Sequence, residues 1–345
     1  MPRMHLKALA TAELVRPMLE PLADRIDFEF AGYAIDHEVM PRDELKRRVA
    51  DIDVLVCEYD TIDAEIFDAA KKLKIIVCCR GGVKSVIDLD RAMAQGVIVC
   101  NNLGRNAAAV SEMVMAFLLD LSRNVTRTTN LIHDRVITTD VRGKPAEYRD
   151  TVWGLDNNSP FIRFRGRSLN NMSLGIVGFG SAGRQVAKKA AAFGMELLAY
   201  DPYIDPATVP DGVRLVHLDE LLATADAVTL HCVATPQTRG MFNAETFAKM
   251  KEGSFFVNTS RGELVVEDDL IDALKSGHLA GAAIDVTVKE PIASDCPLLD
   301  APNLLVTPHI AGSSDDVQIV GTRMVVEALS DWLDGRKPAH CVVYV

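Results

Sequence analysis

The sequence predicts an α/β protein made of two doubly wound parallel-sheet domains with a ligand cleft between them. Three observations lead there. Short apolar runs alternate with amphipathic ones along the chain, and strand–helix alternation of this kind builds parallel sheets. A polar, weakly periodic stretch over residues 133–170 divides the alternation into two blocks. A chain of 345 residues is also long for one core and comfortable for two.

In the first block "LKALAT" (6–11), "DFEFAG" (27–32), "VLVCEY" (54–59), "IIVCCR" (75–80) and "VIVCNN" (97–102) read as strands. "PRDELKRRVAD" and "AEIFDAAKKLK" between them carry apolar residues at helical spacing. A strong helix is expected from Ala107 to Asn124. The second block offers "LGIVGF" (174–179), "LLAY" (197–200), "AVTLHCV" (227–233), "SFFVNT" (254–259), "AGAAIDV" (280–286) and "LLVTP" (304–308). Six strands with helical runs between them suit a Rossmann-type sheet. The tail from Asp316 to Gly335 reads as a helix with Val317, Val320, Met324, Ala328 and Trp332 as its apolar residues.

Composition narrows the function. Hydrophobic residues at 48% and charged residues at 25% describe an ordinary globular chain. A net charge of -11 disfavours nucleic acid and anionic membrane as partners. The most apolar helical run, "AAAVSEMVMAFLLDL", is too short to span a bilayer and includes Ser111 and Glu112. The 7 cysteines show no metal-ligand spacing, and several lie inside apolar runs. A reducing, cytoplasmic setting and no metal are therefore expected. The N-terminal stretch "MPRMHLKALATAEL" lacks the long apolar segment of a signal peptide.

"IVGFGSAGRQVAKKAAAFGMELLAYDPY" (176–203) carries the first chemistry. Glycines are common, and a tight strand–helix turn followed by a turn-forming Asp-Pro would produce part of this pattern. Here, however, a strand precedes Gly178 and a helix follows Gly183. Gly178 permits the turn, Gly180 lets backbone approach a pyrophosphate, and Gly183 lets helix and strand pack closely. The helix start then offers free N–H groups and positive dipole to phosphate. Asp201, 23 residues after Gly178, ends the next strand. Its carboxylate can accept from both ribose hydroxyls and would repel a 2′-phosphate, so NAD is preferred over NADP.

With the dinucleotide placed, reactive groups should stand at the carboxyl ends of the later strands. Three ends carry them: Arg261 after "SFFVNT", Asp285 and then Glu290 after "AAI", and His309 after "LLVTP". Hydride transfer to a 2-oxo acid needs a cation that grips the carboxylate, which arginine does bidentately. It also needs an acid for the forming alkoxide, and histidine suits that task. A carboxylate beside the histidine would orient the ring. Alone, each residue has a plain alternative: a surface arginine, a loop acid, a satisfied histidine.

Together these segments resemble the D-isomer-specific 2-hydroxyacid dehydrogenase family over nearly the whole chain. "GIVGFGSAGRQVA" resembles its glycine signature and "MKEGSFFVNTSRGELV" its arginine segment. "AAIDVTVKEP" resembles the acid segment and "TPHIAGSS" the histidine segment. The resemblance implies that Arg261 anchors and polarises substrate, that His309 is the acid/base, and that Glu290 is its partner. It implies cofactor contacts from Ser181, Ala182, Val233, Thr238, Thr259, Ser260 and His309, with the nicotinamide carboxamide near Asp285. It also assigns residues 1–106 and 310–345 to a flavodoxin-like substrate domain and 107–309 to the NAD-binding domain. A homodimer through the cofactor domain is a further implication.

The chain departs from the family in three places. "CRGGVKSVIDLDRA" corresponds to the glycine-rich turn whose backbone meets the substrate carboxylate, at Gly82 and Val83 here. It is one residue shorter than the common form and has Lys84 where glycine is usual. Lys84 either adds charge to the cleft or points to solvent. Relatives acting on 3-phosphoglycerate usually have a basic residue after the third strand, whereas this chain has Glu58, Tyr59 and Asp60. A phosphorylated substrate therefore loses ground. Arg105 either meets a second anionic or hydroxylated group of the substrate or simply lies near a helix start. The long connection, with Tyr148, Trp153, Arg163 and Arg165, reads as a dimer arm, a cleft wall or a solvated linker. The expected activity is interconversion of a small D-2-hydroxy acid and its 2-oxo acid with NAD. A formate-specialised relative is disfavoured because Glu290 is kept, and a non-catalytic NAD-sensing binding protein, as among corepressors, is the alternative from another class.

Overall fold

The computed structural model describes residues 5–137 and 159–345. Its strands are β1 (Leu6–Ala10), β2 (Ile26–Phe30), β3 (Val54–Cys57), β4 (Ile75–Cys78), β5 (Ile98–Asn101), β6 (Ser173–Val177) and β7 (Glu196–Tyr200). They continue with β8 (Val213–Leu215), β9 (Ala227–Leu230), β10 (Ser254–Asn258), β11 (Leu279–Ile284), β12 (Leu304–Val306) and β13 (Cys341–Val343). The main helices are α1 (Arg42–Arg48), α2 (Ala64–Ala69), α3 (Leu89–Gln95), α4 (Ala107–Arg123) and α5 (Val125–His133). After them come α6 (Ser181–Ala192), α7 (Leu218–Thr224), α8 (Ala244–Lys249), α9 (Glu267–Lys275) and α10 (Asp315–Leu333).

The chain forms two compact units, residues 1–106 with 313–345 and residues 107–312. In the first, the sheet order is β13-β5-β4-β3-β1-β2. The parallel part follows the 2-1-3-4-5 order of flavodoxin-like sheets. β13, which pairs antiparallel with β5, adds an edge. β3 and β4 are buried along their whole lengths because helices cover both faces. Asp63 and Asp88 start α2 and α3 by accepting backbone N–H bonds with their carboxylates.

The second unit holds an all-parallel sheet of order β12-β11-β10-β9-β6-β7-β8. This is the Rossmann order with a seventh strand, and the order reverses between β6 and β9. Two apolar layers flank it. One includes Leu118, Ile176, Val186 and Val257, the other Leu198, Val228, Phe247, Phe256 and Ile284.

Several elements depart from the sequence expectation. β8 and β13 are three-residue edge strands that apolar patterning did not mark. α5 occupies a stretch assigned no element, and none of its residues is buried. In α10 the buried face is Gly321, Thr322, Val325, Ala328 and Leu329. Of the expected apolar residues only Ala328 is fully buried, while Val317, Val320, Met324 and Trp332 sit at the margin. Thr322 belongs to the buried face because its hydroxyl accepts the Val15 N–H at 3.0 Å and donates to Gln318 O at 2.8 Å. Within the long connection, Tyr148 and Trp153 lie outside the described residues. Arg163 stacks over Phe164 at 5.3 Å, and Arg165 is exposed.

Candidate functional site

The glycine loop lies where the strand order reverses. Gly178 follows β6 with φ 92, a conformation that disfavours a side chain, and an added Cβ would stand 2.6 Å from Cys232 N. At Gly183 an added Cβ would stand 2.3 Å from Gly178 O, so α6 can press on the loop only through glycine. At Gly180 it would meet nothing within 4 Å. Backbone there faces open space, beside the free N–H groups of the first turn of α6, at Ser181, Ala182 and Gly183. Asp201 closes the loop from the end of β7. Its carboxylate accepts Phe179 N–H at 2.8 Å and Tyr203 N–H at 3.0 Å. Those bonds fix the side chain and leave lone pairs for ligand hydroxyls. A cradle emptied of Cβ atoms, a helix start and a fixed carboxylate fit a dinucleotide.

The neighbouring loops complete this edge. Val233, after β9, is 72% exposed, an apolar surface suited to covering a planar ring. Thr238 donates to Val233 O at 2.7 Å and accepts Thr235 N–H at 2.8 Å, which holds the 233–238 turn. Ser260 donates to Cys232 O at 2.5 Å. Thr259 is buried, and its hydroxyl has no partner among the described residues. Beneath the loop, burial holds His231 down to about 4, so it is neutral and hydrogen-bonded to Thr229. Burial likewise pushes the Cys232 thiol up to about 11, where it is unreactive.

β10, β11 and β12 are adjacent and in register, with Asn258 opposite Ile284 and Ile284 opposite Val306. Neighbouring strands stand roughly 4.8 Å apart, so the groups just past these ends share one edge of the sheet. Arg261 is exposed there, and its guanidinium donates to Ser260 O at 2.6 Å. Asn258 accepts Ser260 N–H at 3.0 Å and donates to Arg261 O at 2.9 Å, tying the turn that carries the arginine. Gly262 lets this turn lie against the next loop, since an added Cβ would be 2.1 Å from the Thr287 carbonyl carbon.

Past β12, His309 adopts φ 57, uncommon for a residue with a side chain. Asp285 accounts for it. Its backbone carbonyl accepts His309 N–H at 2.8 Å. Its buried carboxylate accepts the Thr307 hydroxyl at 2.5 Å and the N–H groups of Ile310 and Ala311, each at 2.8 Å. Both carboxylate oxygens thus hold the histidine loop in shape. His309 Nδ1 then donates to Glu290 Oε2 at 2.7 Å, while Glu290 Oε1 accepts Thr287 N–H at 3.2 Å. A carboxylate only accepts, so Nδ1 carries a proton and Nε2 is left to face a ligand. The side chains are 48% and 39% exposed. A pair this exposed adds little stability; its consequence is orientation.

The remaining expected residues lie in the other unit. Val83 is buried, whereas Gly82 and Lys84 are exposed. Arg105 is not a free cation: both Nη atoms meet the buried carboxylate of Glu58. Tyr59 packs on Tyr33 with ring centroids 4.6 Å apart, and the Arg80 guanidinium lies 5.5 Å over the Tyr59 ring. Asn258, Gly262, Thr287 and Thr307 shape the site although sequence reading passed over them. The close approach at Gly262 has no sequence signal except the glycine itself. No group of metal-binding side chains occurs among the described residues. Nor is any helix there long and apolar enough to cross a membrane.

Comparison with known proteins identifies the family. Residues 115–311 match the family model described as D-isomer specific 2-hydroxyacid dehydrogenase, NAD binding domain. A hydroxypyruvate reductase of Blautia hydrogenotrophica is 33% identical over 293 residues, covering 85% of this chain and 86% of that protein. A D-3-phosphoglycerate dehydrogenase of Mycobacterium tuberculosis is 37% identical over 279 residues, 80% of this chain. The match takes in only 48% of that enzyme, so the chain spans about half of its length. A solved structure from Thermus thermophilus is 33% identical, covers 98% of this chain and 100% of its own, and superposes with a TM-score of 0.77.

Proposed function

Because the chain belongs to the D-isomer-specific 2-hydroxyacid dehydrogenase family, with NAD(P) as cofactor, we propose that it interconverts a small D-2-hydroxy acid and its 2-oxo acid, using NAD(H). The observation that carries this reading is the His309–Glu290 pair at 2.7 Å, on the same sheet edge as Arg261. The bound nicotinamide supplies the hydride. Arg261 grips the substrate carboxylate and polarises the carbonyl. His309 donates the Nε2 proton to the oxygen that becomes the hydroxyl, and takes it back in the oxidative direction. Glu290 keeps Nδ1–H pointed at itself throughout, so the ring turns over between its cationic form and one neutral tautomer. Gly82 and Val83 are assigned to the substrate carboxylate through their backbone, and Asp285 to the nicotinamide amide as well as to the His309 loop.

NAD is chosen over NADP because Asp201 is fixed at the end of β7 by two backbone bonds and would repel a 2′-phosphate. The substrate is proposed to be unphosphorylated. Glu58 stands after β3, and its charge partner Arg105 is already engaged on it. The Blautia relative, matched over most of both chains, directs attention to hydroxypyruvate and other short hydroxylated 2-oxo acids. A homodimer in the cytoplasm completes the proposal.

Loss of reduced-nicotinamide absorbance tests it, with NADH and NADPH against glyoxylate, pyruvate, hydroxypyruvate and longer 2-oxo acids. Turnover preferring NADH is expected. NADH binding without turnover on any acid would replace the enzyme by a sensor.

A further inference from the structure

We propose that Cys341 and Cys100 form a thiol-modification site, in which a peroxide oxidises the pair to a disulfide that staples β13 onto β5. This inference is independent of the proposed activity. The two Sγ atoms stand 3.2 Å apart, and the residues are directly opposite in the antiparallel β13–β5 pair. Asn101 N–H donates to His340 O at 3.1 Å. A bond between residues one step beyond and one step before the pair marks Cys100 and Cys341 as non-hydrogen-bonded partners. At such positions the Cα atoms approach most closely and side chains meet face to face. That is within the Cα range a disulfide spans. Both cysteines belong to one compact unit, so closure asks only for a small approach of the two sulfurs.

The pair is also asymmetric. Cys100 is 1% exposed, whereas Cys341 is partly exposed on a three-residue edge strand. Burial pushes the Cys100 thiol well above its ordinary range, so it cannot be the first to react. Cys341 reacts first: its thiolate attacks one peroxide oxygen, the O–O bond breaks, and hydroxide leaves and is protonated to water. Cys341 is then a sulfenic acid. The Cys100 sulfur attacks the Cys341 sulfur as its own proton departs. The S–S bond forms, the S–O bond breaks, and a second water leaves. Two thiols lose two electrons, and one peroxide becomes two waters. Cys57 and Cys78 also face each other, across β3 and β4, but no other cysteine pair joins such contact to a partly exposed member. Cys57, Cys78 and Cys79 are fully buried, and Cys232 and Cys296 have no cysteine partner among the described hydrogen bonds.

The test treats the intact protein with hydrogen peroxide, then counts thiols after unfolding and maps peptides without reductant. The expected result is a fall from seven thiols to five, reversed by dithiothreitol, with one cross-linked peptide joining Cys100 to Cys341. In Cys100→Ala, which leaves the exposed strand intact, a dimedone adduct should collect on Cys341. In Cys341→Ser the peroxide-dependent cross-link should vanish and Cys100 should stay reduced. A cross-link between other cysteines would overturn the proposal. So would peroxide treatment that leaves all seven thiols free, or a Cys100→Ala protein whose Cys341 takes up no more dimedone than Cys296.

Discussion

Replacing Gly262 by alanine separates the chemistry from cofactor binding. The new Cβ would stand 2.1 Å from the Thr287 carbonyl carbon, 2.2 Å from its oxygen and 2.5 Å from Val288 N. All three are backbone atoms, so no side chain can swing aside. Restoring ordinary contact requires roughly an ångström of displacement between the Arg261 turn and the Thr287–Glu290 loop. Thr287 N–H holds Glu290 at 3.2 Å, and Glu290 holds His309 at 2.7 Å, so the shift passes directly to the proposed acid/base pair. A misplacement of about 1 Å lowers catalytic rates by around a hundredfold. Overpacking of this kind also costs about 1–3 kcal/mol of stability. The Gly262→Ala variant should therefore lose about two orders of magnitude in kcat/KM for 2-oxo acid reduction. Its NADH affinity, read by fluorescence, should stay near wild type, because the cradle at Gly178, Gly180 and Gly183 is built on other elements. A melting curve at the assay temperature distinguishes this from unfolding. A folded variant with kcat/KM within threefold of wild type would refute the close-approach argument.

Three further outcomes follow from the same geometry. Gly180→Ala should fold normally, since its Cβ meets nothing within 4 Å, yet bind NADH about tenfold more weakly because a methyl occupies the phosphate approach; equal affinity in a titration would contradict that placement. Asp201→Ser should raise the NADPH/NADH ratio of kcat/KM about tenfold or more, and a ratio that did not move would remove Asp201 from cofactor choice. Asp226 is buried in the second unit, where Arg167 and Lys251 each meet its carboxylate at 2.8 Å and Ser173 N–H at 2.9 Å. Burial alone would raise this carboxyl, but Lys251, Arg167 and Ser173 hold it well below the usual range. A depressed native value gives stability that is full above the unfolded carboxyl pKa of about 4 and is lost as pH falls toward the native one. Asp226→Asn should thus cost about 2 kcal/mol at pH 7, with a melting-temperature gap that narrows below about pH 4; an equally wide gap at low pH would be inconsistent with this ion cluster.

Much of the architecture was legible because long-period patterns report it. The runs at 54–57, 75–78, 173–177 and 254–258 are buried throughout; the first two are apolar from end to end, and the others are apolar apart from Ser173, Ser254 and Asn258 at their ends. Edge strands β8 and β13 are three residues long, too short for an apolar run or an alternation to stand out, although Val343 of β13 is buried. In α10 an apolar count selected Val317 and Val320, whereas the buried face includes Gly321 and Thr322, which enter it through small size and hydrogen bonding. The residue types of the site were legible at strand ends. Their partnerships were not: Glu58 meets Arg105 across 47 positions, and Asp285 meets Ala311 across 26. Sequence names such groups, but only folding brings them together.

The division of the chain also sets an order of events during synthesis. Residues 107–312 form one unbroken unit and can close their core as soon as they leave the ribosome. The unit begun by residues 1–106 cannot. Its apolar layer around Ala8, Leu19, Leu22 and Val56 is completed by Val325, Ala328 and Leu329, and Val15 waits for Thr322. The segment 1–106 is therefore finished only after 313–345 has been made, and a chain interrupted between the two carries the cofactor cradle formed and an apolar face uncovered.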